Sequence, residues 1–494
     1  MKRSMGRWRR RALLVPACAL AVALVGCASD DGDSASTQTS EGPSTTAAPS
    51  TTAAPVELTG LDEAFGTAGV KASPLSATAS DRFMAVAPGP DGAYYAAGFL
   101  AEGGDQAFAL SRFKADGTLD AAFGTGGVAK LNVAVGGKTA EIARAVAVQE
   151  DGKVVIAGPV EHAPGAAGND GKDTDIAVVR FDDKGKADTG FGAQGVARID
   201  LGVGKAVSDT TYVADTSWGL GVLEDKRVVV FGSTPNPAAD RTDADYVLLA
   251  LTAGGARDTS FGTGGALTVD INQSGDSPRN LLVEPEGTIV ATGYSRDGDG
   301  VVSPVIIKST AAGALVPSFG TAGVATAKVL PGVAESYTVQ RQGSAYVLAG
   351  YGRGADANEK VDLISMRFTA AGAWDQAYGV TGGVTRIDVA KEDDRARNLL
   401  VLPDERVLVV GSGKKTADNV DGMVVLLDED GKPVPAFGDG GKVISDLGGP
   451  SDSWYGVTLS ADDDAVVVVG YKGVDANSGA NDDAAIARVA LDAE

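Results

Sequence analysis

The amino-acid sequence predicts an all-β fold: a seven-bladed β-propeller of four-stranded antiparallel blades, closed by an N-terminal strand that completes the last blade. Three observations carry this. An aromatic–glycine pair recurs seven times, at Phe65-Gly66, Phe123-Gly124, Phe191-Gly192, Phe261-Gly262, Phe319-Gly320, Tyr378-Gly379 and Phe437-Gly438, with spacings of 58 to 70 residues. Between these pairs an apolar run ends in glycine, at Gly98, Gly158, Gly232, Gly293, Gly350, Gly411 and Gly470. No part of a repeat carries the 3.6-residue apolar stripe of a helix.

The second copy shows how one unit is built. Arg144 to Val148 alternates and reads as a strand, and Asp151-Gly152 is a hairpin signal. Lys153 to Gly158 is a continuous apolar strand, Ile176 to Phe181 a third, and Gly195 to Leu201 a fourth after the turn at Asp183-Lys184-Gly185. A four-stranded sheet with two apolar faces needs neighbours to cover it, and a ring of such sheets supplies them. The chain ends agree with closure. LDEAFGTAGV from Leu61 matches a fourth strand, and Ala485 to Leu491 matches a third. The first residues of the domain thus complete the last blade and leave no free edge.

The stretches AVQEDGKVVIAG at 147–158 and SRFKADGTLDAAFGTGGV at 111–128 resemble the delta-60 repeat of bacterial extracellular propeller proteins. The resemblance covers about 430 residues, and it implies the fold without assigning an activity. Val316 and Val434 depart from the pattern, standing where Asp62, Asp120, Asp188, Asp258 and Asp375 stand in other copies.

Residues present in most copies are expected to serve the blade. The aromatics wedge between sheets, and the aspartate three residues before each one caps its turn. Arg112, Arg180, Arg367 and Arg488 in the third strands pair with neighbouring acids. Positions that vary between copies point instead to function. At the start of the innermost strand the copies carry Met84, Arg144, Trp218, Arg279, Ser336, Arg397 and Tyr455. Arginine forks suit carboxylate or phosphate, and flat aromatics suit sugar or other planar faces. A ligand-binding mouth is therefore expected at Arg144, Trp218, Arg279, Arg397 and Tyr455. The competing expectation is that these arginines pair with the loop aspartates Asp105, Asp175, Asp245, Asp362, Asp421 and Asp483.

The N-terminus gives an address. Lys2, Arg3, Arg7, Arg9, Arg10 and Arg11 precede an apolar run from Ala12 to Val25. That run is shorter than the about 20 residues of a membrane span and reads as a secretory signal. Leu24-Val25-Gly26-Cys27 resembles the bacterial lipobox, which implies cleavage before Cys27 and lipidation of its sulfur. The expected organisation is a lipoprotein signal over 1–26, a disordered Ser/Thr/Ala/Pro-rich tether over 27–58, and the propeller over 59–494. The protein would be exported and lipid-anchored to the outer face of the cell membrane. The tether, in which PSTTAA occurs twice, reaches about 30 Å as a random coil.

Cys18 and Cys27 are the only cysteines, so the domain has no disulfide, thiol nucleophile or cysteine–zinc site. The formal net charge is −22 and becomes six units more negative without the N-terminal cations, which argues against nucleic-acid binding. His162, the single histidine, is expected to be a surface loop residue, and no catalytic constellation stands out. The function expected is a monomeric extracytoplasmic binding or scaffold protein, partnered by an envelope protein or carbohydrate, with no cofactor. Two alternatives are weighed: a carbohydrate-active enzyme using paired carboxylates, and a calcium-dependent adhesin. For calcium the candidate ligands are Asp173, Asp175, Asp297 and Asp299 in oxygen-rich loops.

Overall fold

The computed structural model describes residues 57–492, apart from 64, 68, 77–79, 136–139, 163–171, 209–211, 417–418, 461–464 and 474–481. The signal segment, Cys27 and the tether to residue 56 lie outside the described residues. Among the described residues every regular element is a strand except one 3-10 turn, Pro90–Gly92.

The strands run as successive four-strand antiparallel meanders. The first is Asp81–Pro88, Tyr94–Glu102, Asp105–Phe113 and Val128–Leu131, and the second Ala145–Val148, Val154–Glu161, Thr174–Phe181 and Val196–Ile199. The third is Thr216–Val222, Val228–Pro235, Ala244–Leu251 and Ala266–Val269. The fourth, Asp276–Val283, Ile289–Arg296, Val302–Ser309 and Val324–Thr326, joins the fifth, Val333–Gln342, Ala345–Arg353, Asp362–Phe368 and Val384–Ile387, by one parallel pair, Val302 with Val333. The sixth is Arg395–Val401, Val407–Thr416, Asn419–Leu427 and Lys442–Ser445. The seventh has Ser453–Leu459, Ala465–Lys472 and Asp483–Asp492 from the chain end, and Val70–Ala72 and Glu57–Leu61 from its start. The start-derived pairing begins at Glu57, two residues inside the expected tether.

Local chemistry sets these elements. The β-branched run of Ala465–Lys472 suits a strand buried on both faces. At Asp151-Gly152 the turn needs a left-handed residue, and Gly152 supplies it at φ 80°. The cores lie between meanders. One cluster packs Tyr95, Phe108 and Phe123 of the first meander on Ile156 and Val179 of the second. Another packs Phe83, Tyr94 and Phe113 of the first on Val467, Val469 and Ile486 of the seventh. The first strands of successive meanders also touch in series, and Ser453–Leu459 touches Asp81–Pro88.

The repeated motif residues do what their repetition suggests. The motif aromatics are buried at 0–1% exposure, and the rings of five of them reach the next meander's turn glycine, as Phe123 does at Gly185 and Phe191 at Gly255. The following glycine donates its N–H across the same gap: Gly124 to the Lys184 carbonyl at 2.8 Å, Gly192 to Gly254 at 2.8 Å and Gly379 to Asp430 at 2.7 Å. Asp188 accepts the Gly190 N–H at 3.0 Å while pairing with Arg180 at 2.8 Å. Arg112 with Asp120, Arg367 with Asp375, and Arg488 with Asp62 repeat that pair. Where the aspartate is lost the arginine is lost too. Val316 faces a third strand carrying Lys308, which turns to Glu284, and Val434 faces one carrying Leu426.

Candidate functional site

In six meanders the pairing of first and second strands slips by one residue. The skipped residues are Met84, Trp218, Arg279, Tyr337, Arg397 and Tyr455. In the second meander Arg144 holds the matching place just before its strand, with its N–H donated to the Ala157 carbonyl at 2.9 Å. A bulge of this kind re-aims one side chain. The run-ending glycines explain why it recurs. A Cβ at Gly98 would overlap the Arg82 carbonyl oxygen, and one at Gly232, Gly350, Gly411 or Gly470 would overlap that of Thr216, Glu335, Arg395 or Ser453. The second strand needs glycine where the first strand's kinked backbone presses against it.

The seven re-aimed residues line one cavity of about 150 Å³, together with Ile142, Asn280 and Asn398. All five residues expected at a mouth, Arg144, Trp218, Arg279, Arg397 and Tyr455, meet there. The fifth meander requires a correction: Tyr337, not Ser336, occupies the bulge. Counting back from Gly350 fails because Arg341 pairs with Tyr346 across four residues, whereas Val222 pairs with Val228 across five.

With Tyr337 in place, arginine and aromatic alternate in chain order. The Trp218 ring lies between the guanidinium groups of Arg144 at 3.7 Å and Arg279 at 4.3 Å. Tyr337 lies between Arg279 at 4.5 Å and Arg397 at 5.3 Å, and Tyr455 meets Arg397 at 5.1 Å. The aromatic faces are therefore covered by guanidinium groups. They act as spacers between like charges, with their stacking faces turned to arginine.

The Glu335 carboxylate acts on Arg279 electrostatically without pairing with it, and the three arginines are otherwise surrounded by uncharged groups among the described residues that line the cavity. Among the described residues none of them forms an ion pair, which removes the competing expectation of pairing with loop aspartates. Those aspartates have other partners: Asp175 meets His162 and Arg198, Asp245 meets Asn236 and Arg241, and Asp362 meets Arg386. Arg279 donates to the Tyr294 hydroxyl at 2.6 Å and the Pro278 carbonyl at 2.7 Å, and the Nε atoms of Arg279 and Arg397 are buried without a partner. Burial, with repulsion from Arg279, draws the Arg144 guanidinium down to about 9, still cationic at neutral pH. Each cation–π contact returns about 0.5–2 kcal/mol, while taking an ion out of water costs several kcal/mol. The balance leaves the ring short of negative charge.

A second repeated feature escaped the sequence reading. Three residues before the re-aimed side chain stands a buried acid in six copies: Asp81, Glu141, Asp215, Asp276, Asp394 and Asp452, each at most 4% exposed. Each accepts backbone N–H groups of the incoming loop, as Asp394 does from Val389 at 2.7 Å and Asp215 from Leu201 at 2.6 Å. Burial raises Asp81 and Asp452 to about 6, Glu141, Asp215 and Asp394 to about 7, and Asp276 to about 8. These acids read as ordinary turn residues because Asp is common in turns.

Of the calcium candidates, Asp297 is held by Lys328 at 2.6 Å and accepts the Asp299 N–H at 3.0 Å, while Asp173 accepts the Gly204 N–H at 3.1 Å. Of these candidates Asp175 converges with His162 and Asp200, and the other convergent groups among the described residues are built from different aspartates. Asp245 with Asp270 and Asp276, Asp362 with Asp388 and Asp394, and Asp421 with Asp446 and Asp452 bring oxygens within 4.8 Å. Arg241 and Arg386 already neutralise the first two groups. His162 departs from its expected surface position. Its side chain is 11% exposed and its Nδ1 lies 2.7 Å from Asp175, a hydrogen bond that raises its pKa.

Comparison with known proteins bears on the fold. No functionally curated protein matches the sequence. Among solved structures, a protein of unknown function from Dyadobacter fermentans is similar at 11% identity and TM-score 0.43, over 86% of this chain and 99% of its own. The polysaccharide lyase Uly1 is similar at 10% identity and TM-score 0.46, over 83% and 90%. The periplasmic gluconolactonase PpgL of Pseudomonas aeruginosa is similar at 14% identity and TM-score 0.38, over 83% and 97%. Residues 89–123 match a domain of unknown function described as DUF5122 beta-propeller. That match spans a short stretch of the chain and, with the four-strand antiparallel sheets, agrees with a β-propeller fold.

Proposed function

We propose that the chain is an exported, lipid-anchored binding protein that takes an anionic ligand at the arginine–aromatic ring. In this reading the seven meanders close as a seven-bladed propeller, the N-terminal strands complete the last blade, and the re-aimed residues surround the axis. Cys27 carries the lipid, and the tether holds a monomeric domain clear of the membrane. The observation that carries the reading is three half-buried arginines lining one cavity with no carboxylate partner among the described residues. A carboxylate, sulfate or phosphate would supply the missing charge through charge-assisted hydrogen bonds. The alternative of a glycoside-cleaving enzyme with paired carboxylates needs two acids at the reacting bond, and among the described residues no acid lines this cavity.

The test is calorimetric titration of the full chain with sulfate, phosphate and a panel of acidic saccharides. Replacing Arg144, Arg279 and Arg397 together abolishes binding of whichever anion is bound. Unchanged affinity in that triple variant rejects the site, and product formation from a saccharide rejects the binding-only reading.

A further inference from the structure

Beside the axial cavity a recess of about 200 Å³ opens between the sixth and seventh meanders, and Arg397 lines both. Its other walls include Asp393, Arg395, Lys414, Ser453 and Tyr471. Several of these groups are built to meet a ligand. Ser453 is 3% exposed, yet its hydroxyl has no partner, and the Nε of Arg395 is buried without one. Among the described residues Lys414 has no carboxylate on its ammonium, although its backbone N–H donates to Asp394 at 3.0 Å. Arg395 is stacked at 5.0 Å over Tyr351 and reaches Asp393 at 3.4 Å. Tyr455 of the cavity and Tyr471 of the recess lie 5.9 Å apart, centroid to centroid.

Resting on the anion-binding reading above, the geometry points to one ligand spanning both spaces: an acidic oligosaccharide. One anionic group sits among Arg144, Arg279 and Arg397. The next sugar lies past Arg397, with its anionic group on Arg395 and Lys414 and its hydroxyls on Asp393 and Ser453. Asp393 decides the ligand class. A carboxylate only accepts hydrogen bonds and repels a second anion. A polyphosphate or nucleic-acid backbone therefore meets repulsion there, whereas a sugar offers hydroxyl donors beside its charged group.

Galacturonate and its α-1,4-linked tetramer probe this by calorimetry on the full chain, with tripolyphosphate as the competitor class. The wild type binds the tetramer about 10- to 100-fold more tightly than the monomer, as expected for added charge-assisted hydrogen bonds. The double variant Arg395→Met, Lys414→Met keeps the packing stems, binds the monomer like wild type and loses the tetramer gain. Arg395→Lys with Lys414 intact keeps most of it, which guards against a misfolded double variant. A tetramer gain that survives the double variant overturns the inference and spares the anion-binding reading. Tripolyphosphate binding more tightly than the tetramer overturns the saccharide assignment. No binding of sulfate, phosphate, monomer or tetramer by the wild type overturns the parent reading as well.

Discussion

Two sets of arginines occupy repeated positions in this protein, and they are treated differently. Arg112, Arg180, Arg367 and Arg488, near the ends of third strands, each meet the motif aspartate of their own repeat. Arg144, Arg279 and Arg397, at the first strands of their meanders, meet among the described residues aromatic rings, two tyrosine hydroxyls and a carbonyl. The first set is matched to its surroundings: where Val434 replaces the aspartate, Leu426 replaces the arginine, and Asp258, which stands opposite Ala250, pairs with Arg227 instead. The second set is unmatched and alternates with Trp218, Tyr337 and Tyr455. The difference separates charge that serves the fold from charge held ready for something outside it.

That comparison can be broken or sharpened by experiment, beginning with the largest effect. Arg144→Met, Arg279→Met and Arg397→Met together lower anion affinity by at least about 100-fold, the equivalent of two lost charge-assisted hydrogen bonds. The same change leaves the melting temperature level or higher, because three half-buried charges are removed. A drop of many degrees would mean that the ring is structural. Next, Gly411→Ala places a Cβ against the Arg395 carbonyl at the bulge. It costs about 3 kcal/mol or more by overpacking against backbone, whereas Gly298→Ala meets nothing within 4 Å and is near neutral in denaturant titration.

The buried acids give a pH dependence of known sign. Asp215 rises from 3.8 to about 7 on folding, so its stabilising share is complete below pH 4 and is lost as pH climbs through 7. At roughly 1.4 kcal/mol per pKa unit the full swing is on the order of 4 kcal/mol. Denaturant midpoints of the wild type should therefore fall between pH 5 and pH 8, and Asp215→Asn should flatten that fall. A midpoint that rises over this range contradicts the burial argument. A smaller effect belongs to the matched arginines. Arg367→Met costs about 1–2 kcal/mol, a partly exposed ion pair with supporting hydrogen bonds, and leaves ligand affinity unchanged. Millimolar calcium is expected to leave the melting temperature where it is, and a rise would favour the adhesin reading.

Much of this was legible in the chain. The aromatic–glycine pair and the run-ending glycine carry the meanders because each is a backbone requirement: one bridges neighbouring sheets, the other clears a bulge. Counting back a constant interval from the same glycine locates five of the seven re-aimed residues, and Tyr455 lies one residue further back because its hairpin is a residue longer. The count failed at Ser336 because one hairpin is a residue shorter, and so the arginine–aromatic alternation stayed hidden until Tyr337 took its place. The six buried acids were visible but looked like turn residues, since an aspartate that caps a buried loop and one that caps a surface turn share a local sequence. Which aspartates the arginines avoid depends on pairing across strands, and local spacing does not carry that.

The most direct measurement is a crystal structure of the protein with the tetragalacturonate. The account predicts a carboxylate within hydrogen-bonding distance of Arg144, Arg279 and Arg397, with the chain running past Arg397 toward Arg395 and Lys414. Saccharide bound elsewhere, or an axial cavity holding water with those guanidinium groups turned onto protein carboxylates, contradicts it.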